Sequence, residues 1–271
     1  MFDAPPLNAP PKSIYYFASD FHLGAYALAD TKAQERLLVS WIQTIAHTAK
    51  ALYLLGDIFD YWFEYKSVVP RGYTRFLGAL ANLADSGTEL HILPGNHDVW
   101  QRDYLACELG ATLHPTPFIT QLLGRTFRLS HGDWEYRTQT KSSLLLYKVF
   151  RNPFLQWCYR GLHPDMTLPF AMRWSLRNRK RHLQQEECAP AVTDAHFRLL
   201  EPQKELLYTA GIALARAYPQ VQTFVYGHRH QVIRHPLPGG SELICLGDWI
   251  RRNSYLSWDG EALRLHHYHL P

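Results

Sequence analysis

Thr223-Phe-Val-Tyr-Gly-His-Arg-His230 is a short apolar run that ends abruptly in glycine and two histidines. A run this short, bounded by glycine, reads as a buried strand and not as a helix. The same device recurs along the chain. Ile14 to Ser19 runs into Asp20-Phe21-His22, Ala51 to Leu55 into Gly56-Asp57, and Leu90 to Leu93 into Gly95-Asn96-His97-Asp98. Thr126 to Ser130 runs into His131-Gly132-Asp133, and Leu243 to Leu246 into Gly247-Asp248. Helical patterns separate the first three. Asp30 or Thr31 can cap a helix that carries Leu37, Leu38, Trp41, Ile42 and Ile45 on one face. A second, around Arg71 to Asp85, carries Phe76, Leu77, Leu80 and Leu83 and stops at Gly87. Alternating strands and helices predict an α/β sheet with right-handed crossovers. Ligands of such sheets bind beyond the carboxyl ends of the strands, where every polar cluster falls. Val232 to His269 reads as further strands with a hairpin turn at Asp259-Gly260.

Composition narrows the class. The chain has 271 residues, 46% hydrophobic, 14% aromatic and 19% charged, enough for one large core and too apolar for disorder. A net charge of +4 is too mild to imply nucleic acid by itself. No apolar run approaches the roughly 18 residues of a membrane span. Met1 to Ser13 is proline-rich and lacks the apolar core of a signal peptide, so residues 1–13 read as a disordered or loosely ordered leader to a domain at 14–271. Cys107, Cys158, Cys188 and Cys245 are widely spaced with no CxxC, which argues against a disulfide framework and a thiolate zinc site. These features together predict a cytoplasmic protein.

An Asp beside glycine is usually a turn residue, and a lone His near a strand end is usually structural. Five such clusters in one α/β pattern have no reason to supply metal ligands at every site unless they meet at one. Asp20, His22, Asp57, Asn96, His131, His228 and His230 offer oxygen and imidazole donors without sulfur, a mix that suits Mn²⁺, Fe²⁺ or Zn²⁺. Seven ligands are too many for one ion and suit two sharing a carboxylate. Two ions about 3.5–4 Å apart activate water and clamp both oxygens of an in-line displacement at phosphorus. Hydrolysis of a phosphoester or phosphoanhydride is therefore the expected reaction class.

The ordered set resembles the calcineurin-like metallophosphoesterases from Asp20 to His230. Within them, Phe17-Ala-Ser-Asp-Phe-His-Leu-Gly24, Tyr53-Leu-Leu-Gly-Asp-Ile-Phe-Asp60, His131-Gly-Asp133 and Tyr226-Gly-His-Arg-His230 look like the UDP-2,3-diacylglucosamine hydrolases of lipid A synthesis. The resemblance implies an α/β/β/α sandwich with two central mixed sheets and a helical cap inserted at about 137–200. It implies that Asp20, His22, Asp57 and His230 hold one ion, that Asp57, Asn96, His131 and His228 hold the other, and that Asp57 bridges. Well-known hydrolases of this family carry Arg at the position of His97. A sugar phosphate leaves without a proton, so a positive charge suffices there, whereas an alkoxide needs a general acid, which His97 oriented by Asp98 can supply.

Residues 137–182 carry ten basic residues against Asp165 alone, about +9, with Leu144, Leu145, Phe150, Phe154, Leu155, Trp157, Phe170 and Trp174 interleaved at helical spacing. One reading is a subdomain whose apolar face packs on the core. The other is a cationic, greasy cap for a substrate both anionic and lipidic, at an anionic membrane surface. By resemblance, Lys148, Arg173, Ser175 and Asn96 contact substrate. The expected activity is cleavage of UDP-2,3-diacylglucosamine by two divalent ions, Mn²⁺ first. The alternative is a phosphoesterase for a soluble phosphoester, nucleotide or nucleic acid. A fold-only scaffold would be expected to lose ligands, and none of the seven is missing. No protein partner is inferred.

Overall fold

The computed structural model describes residues 12–25, 30–136, 141–167, 197–199 and 201–270. Arg173, Ser175, Phe170, Trp174, most of the expected leader and much of the expected cap lie outside these residues.

Six strands, β1 (Ile14–Ala18), β2 (Ala49–Leu55), β3 (Glu89–Leu93), β4 (Thr112–Leu113), β10 (Ser254–Trp258) and β11 (Leu263–His267), form one mixed sheet in the order β11-β10-β1-β2-β3-β4. β5 (Phe118–Leu122), β6 (Arg125–Ser130), β7 (Thr223–Tyr226), β8 (Val232–Pro236) and β9 (Glu242–Leu246) form the other, in the order β5-β6-β7-β9-β8. Strict alternation within the strands decides which side each residue faces. In β2, Ala51, Tyr53 and Leu55 join Phe127, Leu129, Val225 and Ile244 between the two sheets. Leu52 and Leu54 turn the other way, toward Leu38, Trp41 and Ile42 of α1 (Thr31–Ile45) and Phe76, Leu80 and Leu83 of α2 (Thr74–Asp85). On the second sheet Phe224, Tyr226, Leu243 and Cys245 face α7 (Leu206–Ala217), whose Leu207 and Ala215 cover them. The layers are helix, sheet, sheet, helix, as the family resemblance implies.

Asp30 caps α1, its Oδ1 accepting from the backbone N–H groups of Lys32 and Ala33. The second helix begins at Thr74, not Arg71, because Gly72 and Tyr73 take positive φ. The hairpin at Asp259-Gly260 joins β10 to β11, and Asp259 Oδ1 accepts from the N–H groups of Glu261 and Ala262.

After β6 come α3's successors: α4 (Asp133–Tyr136), α5 (Lys141–Phe150) and α6 (Pro153–Arg160), α3 (Tyr104–Leu109) lying earlier beside β4. α5 and α6 are moored to the core by an aromatic cluster. Trp100 meets Phe63, Phe150 and Tyr159 at 5.3–5.8 Å between ring centres, and its Nε1–H donates to the Phe150 carbonyl at 2.7 Å. Phe150 therefore faces inward. Leu145 (65% exposed), Phe154 (66%), Trp157 (67%) and Met166 (73%) remain exposed, so part of the apolar stripe does not pack on the core. None of the helices in the described residues is long and apolar enough to cross a membrane.

Candidate metal centre

Every chemistry-bearing residue sits at a strand's carboxyl end. Asp20 and His22 follow β1, Asp57 follows β2, Asn96 and His97 follow β3, His131 follows β6, and His228 and His230 follow β7. Asp20, His22, Asp57, His228 and His230 all have positive φ, between 46° and 68°. Backbone held in this region costs on the order of 1–3 kcal/mol per residue and gathers at functional sites.

Three donor groups converge among the described residues, one of them His22, Asp60 and His97, and the other two take up the expected ligands. Ligand atoms of Asp20, His22 and His230 lie within 4.8 Å of one another, and so do those of Asp57, His131 and His228. Asp57 reaches both, with Oδ2 at 3.7 Å from His22 Nε2 and 3.4 Å from His131 Nε2. Asn96 Oδ1 lies 3.2 Å from His131 Nε2, which places it in the second group. The structure thus brings together all seven residues singled out in the sequence.

The donor chemistry fits cations. His22 Nδ1 lies 3.3 Å from Asp60 Oδ1, His230 Nδ1 3.4 Å from Asp248 Oδ2, and His131 Nδ1 2.8 Å from the Leu55 carbonyl. His131 spends its Nδ1–H on that carbonyl, the carboxylates of Asp60 and Asp248 stand behind the other two rings, and all three turn Nε2 inward, the usual arrangement behind a metal-binding imidazole. The inward Nε2 atoms of His22 and His230 are only 3.3 Å apart, and His131 Nε2 faces the oxygens of Asn96 and Asp57. Two imidazole nitrogens this close need a proton or a cation between them. The electrostatics agree. Burial works to raise the Asp57 carboxyl, yet His131 and His97 overcome it and hold it well below the carboxylate range. Burial works to lower His131, yet Asp57 and Asp20 push it well above its ordinary value.

His97 donates its backbone N–H to Asp57 Oδ1 at 2.8 Å, and its Nδ1–H meets the Asp60 carbonyl at 2.9 Å. Its ring stands edge-on to His22 at 4.8 Å. The expected partner, Asp98, does not orient it. Asp98 is buried and turns its carboxylate to backbone N–H groups, accepting from Gly95 at 2.7 Å and Ile58 at 2.8 Å. Burial and the charge of Asp57 lift it to about 6. Its place is to tie the loop after β3 to the loop after β2.

Three supporting carboxylates were missed in the sequence. Asp60 bears on His22 and His97, and Asp248 on His230. Glu205, fully buried, grips Arg229 between the ligands His228 and His230, with Nε at 3.0 Å and Nη2 at 2.9 Å from Oε2. Asp60 lies in the quoted run through Asp57, and Asp248 follows a strand end that had been marked.

Gly56 and Gly95 let these loops touch. A Cβ on Gly95 would collide with the Asp57 carboxylate and lie 2.5 Å from the Asp57 amide nitrogen. Gly95→Ala should displace Asp57 and lower metal affinity by ~10–100-fold, as for other lost outer supports. Titration of the variant with Mn²⁺ checks this, and wild-type affinity would refute it.

A two-sheet α/β/β/α layering with carboxylate–imidazole pockets at the strand ends defines a metal-dependent phosphoesterase type of centre. The chain belongs to the calcineurin-like phosphoesterase family, whose model matches residues 15–232. It is similar, at 42% identity, to a UDP-2,3-diacylglucosamine hydrolase of Porphyromonas gingivalis, over 94% of this chain and 97% of that one. At 30% identity it is similar to the UDP-2,3-diacylglucosamine hydrolase of Pseudomonas paraeruginosa, over 92% and 96%. Among solved structures it matches a dimetal phosphatase from Danio rerio at 15% identity and a TM-score of 0.44, covering 92% of each chain.

Proposed function

We propose that this protein is a two-metal hydrolase that cleaves the pyrophosphate of UDP-2,3-diacylglucosamine to UMP and 2,3-diacylglucosamine 1-phosphate, with Mn²⁺ in the two pockets, on the cytoplasmic side of a membrane. Asp20, His22, Asp57 and His230 hold one ion, and Asp57, Asn96, His131 and His228 hold the other. When bound, the ions activate water and neutralise charge on the phosphorus oxygens. The protein's share is to hold the reacting phosphate between the pockets and to steady the departing one. Water adds to phosphorus, the P–O–P bridge breaks, and the sugar phosphate departs as an anion that needs no proton. His97 faces that charge.

The observation that carries the lipid half is the exposed apolar surface of α5 and α6. More than half of the large apolar side chains exposed among the described residues fall between Leu144 and Met166. Soluble proteins rarely leave such a patch without a use. Lys148 is exposed on the same helix as Leu145, so cation and grease stand together, as an anionic glycolipid or membrane surface requires. Lys148, Arg173 and Ser175 are proposed contacts to the substrate.

The test compares kcat/KM for UDP-2,3-diacylglucosamine and its deacylated form, with Mn²⁺, in the parent and in Leu145→Ser with Trp157→Ser. The diacylated substrate should lose more, by about 0.8 kcal/mol per methylene no longer buried. Sedimentation with anionic vesicles should likewise fall in the variant. An equal ratio in parent and variant would remove the lipid reading and leave a soluble phosphoester or nucleotide as substrate.

A further inference from the structure

One short loop supplies a ligand to each pocket. His228 groups with Asp57 and His131, His230 groups with Asp20 and His22, and Arg229 stands between them in the chain. His228 and His230 take φ of 68° and 53°, a region that side-chain-bearing residues leave unless their surroundings hold them there. The start of the loop is held from inside the centre. Gly227 donates its N–H to the His131 carbonyl at 2.9 Å, and His228 donates its own to Asp20 Oδ2 at 2.9 Å. The middle is held from outside. Arg229 Nε and Nη2 both reach Glu205 Oε2, at 3.0 and 2.9 Å, while Glu205 Oε1 accepts from the Leu207 N–H at 3.1 Å. Glu205 is fully buried and α7 begins at the next residue. That helix covers the strand from which the loop emerges, through Leu207 against Phe224 and Tyr226.

We propose that the Glu205–Arg229 pair is a positioning brace for both metal pockets at once, setting where the His228 and His230 imidazoles stand. This rests on the proposed two-ion centre. Charge argues against a simpler role. A guanidinium between the ligands of two dications repels both, so Arg229 does not draw metal in. Glu205 faces Arg229 and the first turn of α7, and the pair adds no net charge. What it adds is direction. A guanidinium is a rigid planar fork, and two of its donors on one oxygen fix the approach in a way that a single ammonium does not. With Arg229 drawn toward α7, His230 Nε2 is left 3.5 Å from Asp20 Oδ1, and His228 stays with Asp57 and His131.

The brace differs from the other supports in being shared. Asp248 stands behind His230, 3.4 Å from its Nδ1, and the Leu55 carbonyl stands behind His131. Each of those bears on one pocket. Slack at Arg229 reaches His228 and His230 together, so both ions should bind more weakly.

The experiment is equilibrium dialysis of the full chain against graded Mn²⁺, read as two binding constants, beside thermal unfolding of the metal-free protein. Arg229→Met with Glu205→Gln removes the pair without leaving a buried charge unpaired. Affinity should fall by about 10–100-fold at both sites, the usual cost of a lost outer support, with the unfolding midpoint close to that of the parent. Arg229→Lys keeps the charge and loses the fork, and its affinities should lie between. Arg229→Met alone gives the sign. It removes a repelling cation, so a purely electrostatic role requires tighter Mn²⁺ binding, whereas the brace requires weaker. Parent-like affinity in the double variant, or a loss confined to one site, overturns the brace. Should the double variant fail to fold, Arg229→Lys decides, and parent-like affinity at both sites overturns the brace there too. The two-ion reading is judged apart, on the parent. A parent that takes up fewer than two ions refutes that reading, whereas two ions held equally well by parent and variants refute the brace alone.

Discussion

Asp57→Ala should empty both pockets and lower kcat by about 10³-fold or more, since each ion supplies several kcal/mol of charge stabilisation. The Asp57 carboxylate lies within 4 Å of imidazoles of both groups, at His22 and His131. It also accepts the His97 backbone N–H through Oδ1, so its loss frees the loop that carries Asn96 and His97. Asp57→Asn keeps the size and that acceptor but lacks the charge, and it should retain partial occupancy. Asp20→Ala is the contrast. Asp20 accepts from the His228 backbone N–H at 2.9 Å and lies 3.5 Å from His230 Nε2, so its main loss should be in the His22–His230 pocket. Metal analysis after dialysis checks the order. Two ions retained by Asp57→Ala would remove it from the bridging role, and equal losses in Asp20→Ala and Asp57→Ala would deny it any special one.

Most of this centre was legible because strand ends are written plainly. A buried strand needs a continuous apolar run, and the run must stop where a polar ligand begins, so Asp20, Asp57, Asn96, His131 and His228 announce themselves by position. The strand order was not legible. β1 pairs with β10, more than two hundred residues away, and no local signal records which distant run will satisfy an edge. The supporting residues were hidden for a different reason. Asp60 and Asp248 look like ordinary turn residues, and only the fold shows that their oxygens lie behind His22 and His230. Asp98 misled in the opposite sense. Adjacency to His97 suggested a pair, yet in a tight loop successive side chains diverge, and Asp98 Oδ1 instead takes the Gly95 N–H three residues back. The helices after His131 were legible in composition alone, because amphipathic spacing says that a face is apolar and not what covers it.

His97→Ala should leave both ions bound and still lower kcat by about 10²–10⁴-fold, the usual share of a positioned acid or charge at the leaving group. The ring is fixed from three sides. Its own N–H is anchored on Asp57, its Nδ1–H on the Asp60 carbonyl, and its edge rests against the His22 ring. With Nδ1 committed, Nε2 is the atom left to meet a substrate oxygen. Burial works against a proton on this ring more than the nearby Asp57 and Asp60 charges favour one, so its pKa falls below the ordinary value. Two leaving groups tell apart what that proton does. A sugar phosphate departs as a stable anion, so a fixed charge at this point is enough, and His97→Arg should keep most of the activity on a pyrophosphate. An alkoxide must be protonated as it leaves, and arginine cannot release a proton, so the same variant should lose activity on an alkyl phosphoester by the full amount seen with alanine. Metal content measured beside both rates completes the test. If metal and activity fell together in His97→Ala, His97 would be a ligand. If His97→Arg were as inactive as His97→Ala on the pyrophosphate, the residue would be the proton donor for this enzyme's own reaction, and a phosphoester would be its substrate.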